Sequence, residues 1–157
     1  MIEVNTKLPS VQFQYFVDGE MITATTEELF AGKKVVMFAV PGAFTPTCSN
    51  SHLPGYVVNY EKFAEKGVDT IICLSVNDAF VMDAWGKSQN AENIIMLADG
   101  GADFTKEIGL EAETGIFGGT RSRRYAMVVE DGMVQVLNVE EPKEFEVSDA
   151  ETILAAL

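Results

Sequence analysis

Two continuous apolar runs, residues 34–40 (KVVMFAV) and 69–76 (DTIICLSV), constrain the fold more than any other feature of the chain. Both are rich in β-branched residues and lack polar alternation, the pattern of strands covered on both faces. The first run stops at Pro41-Gly42, and a helix is expected to begin close to Thr45-Pro46-Thr47-Cys48. Proline suits a first helical turn, where its missing N–H is not needed. This helix should continue, with a bend near Pro54-Gly55, to Lys66 and end at Gly67 as a C-cap. After the second run, Asn77-Asp78 caps a helix from Ala79 to about Gln89.

Shorter elements surround this centre. Residues 11–17 and 21–25 form a hairpin about Asp18-Gly19, and Thr26-Glu-Glu-Leu starts a short helical turn. A short strand at 94–98 and a short helix at 102–108, stopped by Gly109, precede a glycine-rich loop at 115–120. Residues 124–130 and 133–139 pair about Asp131-Gly132, and Ser148-Asp-Ala-Glu caps a closing helix. Strands alternating with helices, then a late hairpin, describe an α/β protein with a central mixed sheet flanked by helices. The order fits a thioredoxin-like fold with an N-terminal β-hairpin extension, although spacing alone allows other α/β folds. No repeat or linker divides residues 1–157, so one domain is expected.

Charge and cysteine usage exclude several functions. With 24 acidic against 11 basic residues, the net charge of -13 repels phosphate backbones and anionic membranes, so neither nucleic acid nor membrane is an expected partner. The start, Met1-Ile-Glu-Val-Asn, has no basic or apolar leader pattern, and a cytoplasmic setting is expected. Cys48 and Cys73 are too few for a disulfide scaffold, and with His52 as the one histidine no metal or other cofactor is expected.

Cys48 is the strongest candidate nucleophile. A thiol reacts poorly at neutral pH because only a small fraction is ionised. A first-turn helical position helps, since unpaired backbone N–H groups and the helix dipole favour negative charge. Active sites of open α/β sheets also lie beyond strand ends. The chain's three arginines, Arg121, Arg123 and Arg124, fall within four residues at the start of a buried strand. In so acidic a protein this suggests a local need for fixed positive charge, although pairing with surface acids is the plainer account. A guanidinium can hydrogen-bond a thiolate and an oxygen of its substrate together. Alternation puts Arg123 and Arg124 on opposite faces, and parity alone does not choose between them. Thr45, three residues before Cys48, can sit beside the sulfur or simply cap the helix. Pro41 can shield the sulfur from water. His52 follows one turn later on the same face, where a structural or dimer-contact role outweighs a catalytic one. Phe44 and Phe117 are candidate walls for the substrate or plain core.

The stretch Pro41-Gly-Ala-Phe-Thr45-Pro-Thr-Cys48-Ser resembles the Pro-x-x-x-Thr-x-x-Cys site of peroxiredoxins, in the form used by the peroxiredoxin 5, or type II, subfamily. His52-Leu-Pro-Gly-Tyr, Cys73-Leu-Ser-Val-Asn-Asp-Ala-Phe, Trp85-Gly86, Leu97-Ala-Asp-Gly and Arg124-Tyr-Ala-Met-Val-Val-Glu-Asp-Gly agree as well, in order and over almost the whole chain. The resemblance implies that Cys48 reduces hydrogen peroxide and small alkyl hydroperoxides, becoming a sulfenic acid. It implies that Thr45 orients the peroxide, that Arg124 rather than Arg123 stabilises the charge, and that Pro41 shields the site. Backbone N–H groups of Thr47 and Cys48 would help hold the peroxide; the family often has glycine where Thr47 stands. A homodimer is implied too.

Subfamily members with an internal disulfide carry a resolving cysteine in the C-terminal part, and Glu144-Phe-Glu-Val-Ser-Asp has none. A one-cysteine mechanism recycled by glutathione with glutaredoxin, or by thioredoxin, is therefore expected. Cys73, within an apolar run, reads as a buried small hydrophobe. The alternative is a thioredoxin-fold redox sensor or chaperone-like binder without significant turnover.

Overall fold

The computed structural model describes residues 1–157. Its centre is a seven-stranded mixed sheet. In chain order the strands are β1 (Gln12–Val17), β2 (Glu20–Thr25), β3 (Lys34–Ala39), β4 (Thr70–Ser75), β5 (Ile95–Ala98), β8 (Tyr125–Glu130) and β9 (Met133–Val139). A separate ribbon pairs β6 (Glu111–Glu113) with β7 (Thr120–Ser122). The helices are α1 (Thr26–Phe30), α2 (Leu53–Val58), α3 (Tyr60–Glu65), α4 (Ala79–Ser88), α5 (Asp103–Glu107) and α6 (Ala150–Ala155). Spatial order is β2-β1-β5-β4-β3-β8-β9, with β3, β4 and β5 parallel and the remaining pairs antiparallel.

The two apolar runs are the buried centre. Val36, Phe38, Ile71 and Cys73 point into one core, while Val35, Met37, Ile72 and Leu74 point into the other. Each strand thus feeds two cores by its period of two, which is why neither run could afford polar alternation. Burying these side chains on both faces contributes about 1.5–3 kcal/mol for each large one.

Several boundaries differ from expectation. Thr25, not Thr26, caps α1 in a capping box with Glu28, and Thr26 is buried, donating to the Pro9 carbonyl. Asp149, not Ser148, caps α6 by accepting from Thr152 N–H. The expected bend at Pro54-Gly55 is displaced to both sides: a π turn spans Cys48–His52 and a break falls at Asn59. Pro54 has no N–H to offer the turn before it, and the wider π turn, closed by Leu53 N–H to the Cys48 carbonyl, absorbs the mismatch. The 115–120 loop proved to be flanked by the β6–β7 ribbon, which is too short to show a strand pattern.

One register decides the site. Ala39, the last residue of β3, sits opposite Tyr125, the first of β8. The loop leaving β3 and the residue entering β8 therefore meet at the same end of the sheet.

Candidate active site

Cys48 follows Pro46 and Thr47 in the first turn of a helix, whose first main-chain bond runs from Ser49 N–H to the Thr45 carbonyl at 2.9 Å. The N–H groups of Thr47 and Cys48 precede that bond, so the helix start offers them to a ligand. Three contacts fix the incoming loop. Ala43 N–H donates to Asn77 Oδ1 at 3.1 Å, Thr45 Oγ1 donates to the Gly42 carbonyl at 2.7 Å, and Arg121 Nη1 donates to the Pro41 carbonyl at 2.9 Å. Phe44 between them takes a left-handed backbone with φ of 65°, a strain typical of functional loops. On the helix side, Trp85 Nε1 donates to Ser49 Oγ at 3.0 Å.

The sulfur of Cys48 is fully buried and accepts from Nη2 of Arg124 at 3.1 Å. Arg124 is bidentate: its Nη1 lies 2.8 Å from Nδ1 of His52. The other ring nitrogen, Nε2, lies 3.0 Å from the Ser148 carbonyl. A carbonyl only accepts, so Nε2 carries the proton and Nδ1 accepts from the guanidinium. Burial, and then the Arg124 charge, hold the His52 pKa down to about 3, so the ring is neutral. Tyr56 Oη donates to the same Ser148 carbonyl at 2.7 Å.

Ser148 is itself held. The Glu140 carboxylate accepts from the N–H groups of Glu146, Val147 and Ser148 and from Ser148 Oγ at 2.7–2.9 Å. Burial raises this carboxyl, but those bonds outweigh it and leave it below the usual range. The resulting line of contacts runs Glu140, Ser148, His52, Arg124, Cys48.

The three arginines have different tasks. Arg124 meets Cys48. Arg123 donates to the backbone carbonyl of Glu140 at 3.2 Å. Arg121 stacks over Phe117, 5.6 Å from its centroid, and packs so closely on Gly42 and Gly118 that a Cβ on either glycine would overlap its guanidinium. None pairs with a carboxylate; the chain's single ion pair is Lys87–Asp83. The plain account of surface pairing is thus overturned.

Other expectations need correction. His52 has no exposed surface, which removes it as a dimer contact and makes it a neutral prop for Arg124. Thr45 is half-buried, with its hydroxyl proton committed to Gly42 and its oxygen lone pairs left to accept. Phe44 and Phe117 are 57% and 73% exposed, so neither is core. Sequence offered Arg121 only as a member of the cluster and Ser148 only as a cap, and did not single out Glu140; the Arg121–Pro41 and Ser148–His52 contacts join residues 80 and 96 apart.

Comparison with known proteins gives the family of the chain. The model of the Redoxin family matches residues 3–154. Reduced Prx3 from Vibrio vulnificus in complex with H2O2 is 60% identical, with a TM-score of 0.97 and 99% of each chain covered. Peroxiredoxin-2E-2, chloroplastic, from Oryza sativa subsp. japonica is 48% identical over 99% of this chain and 72% of its own length. Peroxiredoxin 5 from Alvinella pompejana has a TM-score of 0.87 at 37% identity, covering 99% of this chain and 97% of its own. The chain belongs to the redoxin family, on a thioredoxin-like fold. Within that family it is a peroxiredoxin of the type II, or peroxiredoxin 5, group: a peroxidase that depends on a thiol reductant.

Proposed function

We propose that the chain reduces hydrogen peroxide and small alkyl hydroperoxides through a sulfenic acid at Cys48, recycled by glutathione with glutaredoxin rather than by a second cysteine of its own. The observation that carries this is the 3.1 Å contact from Arg124 Nη2 to the Cys48 sulfur. A thiolate there attacks the near peroxide oxygen, the O–O bond breaks, and the departing hydroxide or alkoxide takes up a proton. Arg124 spans the reacting atoms and stabilises the charge that moves from sulfur to oxygen. The N–H groups of Thr47 and Cys48 hold the peroxide, Thr45 accepts its proton, and Pro41 closes the water side.

The one-cysteine reading is supported by Cys73, which is fully buried in β4 with its thiol pushed up by burial. Thioredoxin is the competing reductant. We also propose a homodimer, supported by the exposed apolar side chains of Phe44, Ile116 and Phe117 beside the site, and a cytoplasmic setting, where reduced thiols are plentiful.

The test is hydrogen peroxide consumption with glutathione and glutaredoxin, with trapping of the sulfenic acid on Cys48. Cys48→Ser should abolish both. Consumption at the original rate in Cys48→Ser would remove Cys48 from the reaction.

A further inference from the structure

A cleft of about 410 Å³ opens next to Cys48, with Pro41, Thr47 and Arg124 in its lining. Arg121, Arg123 and Lys143 line it as well, so it gathers four of the chain's eleven basic residues. In a protein of net charge -13, none of these four is ion-paired. Glu141 and Glu144 line it too and, like Lys143, are exposed. The Glu140 carboxylate is turned away onto the 146–148 backbone.

Unpaired guanidinium groups in an acidic protein mark a site for an anionic ligand, because carboxylates match their fork. Peroxide is neutral and far smaller than the cleft. The ligand must therefore be something else that visits Cys48. Glutathione carries a thiol, two carboxylates and one ammonium group, a charge pattern that fits a cleft lined by both basic and acidic side chains.

We propose that this cleft binds glutathione, with Arg123 and Lys143 taking its carboxylates; the proposal rests on the reductant reading given above. In the step it serves, the glutathione sulfur bonds to the Cys48 sulfur and the S–OH bond breaks. The hydroxide leaves with the thiol proton as water, giving a mixed disulfide. A second thiol attacks the glutathione sulfur, releasing Cys48 as thiolate and glutathione as a disulfide, which accounts for both electrons. Cys48 has no exposed surface, so the Cys48–His52 turn must swing outward for the attack. A tripeptide already held in the cleft is beside the sulfur when it does.

The experiment oxidises the protein to the Cys48 sulfenic acid and follows the mixed disulfide by intact mass. It compares glutathione, the diethyl ester of glutathione and β-mercaptoethanol. The Arg123→Gln/Lys143→Gln double variant should react about tenfold more slowly with glutathione, while its rate with β-mercaptoethanol and its oxidation by peroxide stay unchanged. The diethyl ester should lose a similar factor on the wild-type protein, a result that needs no substitution. Equal rates for glutathione and its ester, or for variant and wild type with glutathione, overturn the cleft assignment while leaving glutathione as reductant. A wild-type sulfenic acid that thioredoxin reduces and glutathione does not overturns both.

Discussion

Nδ1 of His52 accepts from Nη1 of Arg124 at 2.8 Å, so a neutral imidazole holds the guanidinium that touches the reactive sulfur. The pairing works only because the ring is neutral; a protonated one would push the arginine away. Arg124→Lys supplies charge without the fork, and one ammonium cannot hold both partners in the same geometry. Its rate of Cys48 oxidation by peroxide, followed by stopped flow, should fall about a hundredfold. A rate within twofold of wild type would mean that charge alone suffices.

Acid should weaken the fold through the same ring. An unfolded histidine titrates near 6.5, whereas burial and Arg124 hold His52 to about 3. Between those values the unfolded chain binds a proton that the folded one refuses, so stability present above pH 6.5 drains away as pH falls toward 3. Urea unfolding from pH 7.5 to 4.5 measures it. His52→Gln should show a flatter slope over this window than wild type.

Glu140 lies three contacts from Arg124, yet its loss should reach the chemistry. Glu140→Gln keeps the shape but puts a neutral amide oxygen where one charged oxygen, Oε2, takes all four donors of the 146–148 turn, and so weakens those bonds. We expect a loss of about 2 kcal/mol in denaturant unfolding and slower peroxide reaction, since the Ser148 carbonyl no longer fixes His52. Normal kinetics alongside reduced stability would show that the turn is only structural.

A different split is expected at Gly42. Gly42→Ala places a methyl group where the Arg121 guanidinium packs, and the end of a long side chain can move aside cheaply. Unfolding should change by less than about 1 kcal/mol. The Pro41 carbonyl nevertheless loses its anchor, so the peroxide rate constant should drop several-fold.

Cys73→Ala should leave turnover with glutathione and glutaredoxin within about twofold of wild type, at a cost of about 1 kcal/mol or more for the cavity in β4. A collapse in turnover, with the fold intact by circular dichroism, would make Cys73 a participant.

Much of the frame was legible in the sequence because it rests on local periodicity. The runs at β3 and β4, the Asp18-Gly19 and Asp131-Gly132 turns, and the helix start at Cys48 each announce themselves within a few residues. Caps slipped by one place at Thr25 and Asp149 because adjacent residues have similar capping chemistry. What could not be read was the support behind the site. His52 and Ser148 are 96 residues apart, and Arg121 and Pro41 are 80 apart. Such pairs are set by sheet order and leave no trace in local pattern. Arg124 was selected over Arg123 by family resemblance, and the contact with Cys48 supplies the physical reason.

The pairing of Ala39 with Tyr125 sets a phase between two strands, and the chemistry depends on it more than the fold does. Inserting one residue between Arg124 and Tyr125 leaves the ladder of β3 and β8 intact, since every strand residue keeps its partner. The newcomer then occupies the place beside the sulfur, and the guanidinium is carried out of step. Such a protein should melt almost like its parent and ignore peroxide. For this architecture, length changes at the mouth of β8 are the ones that silence the enzyme while leaving a sound fold behind.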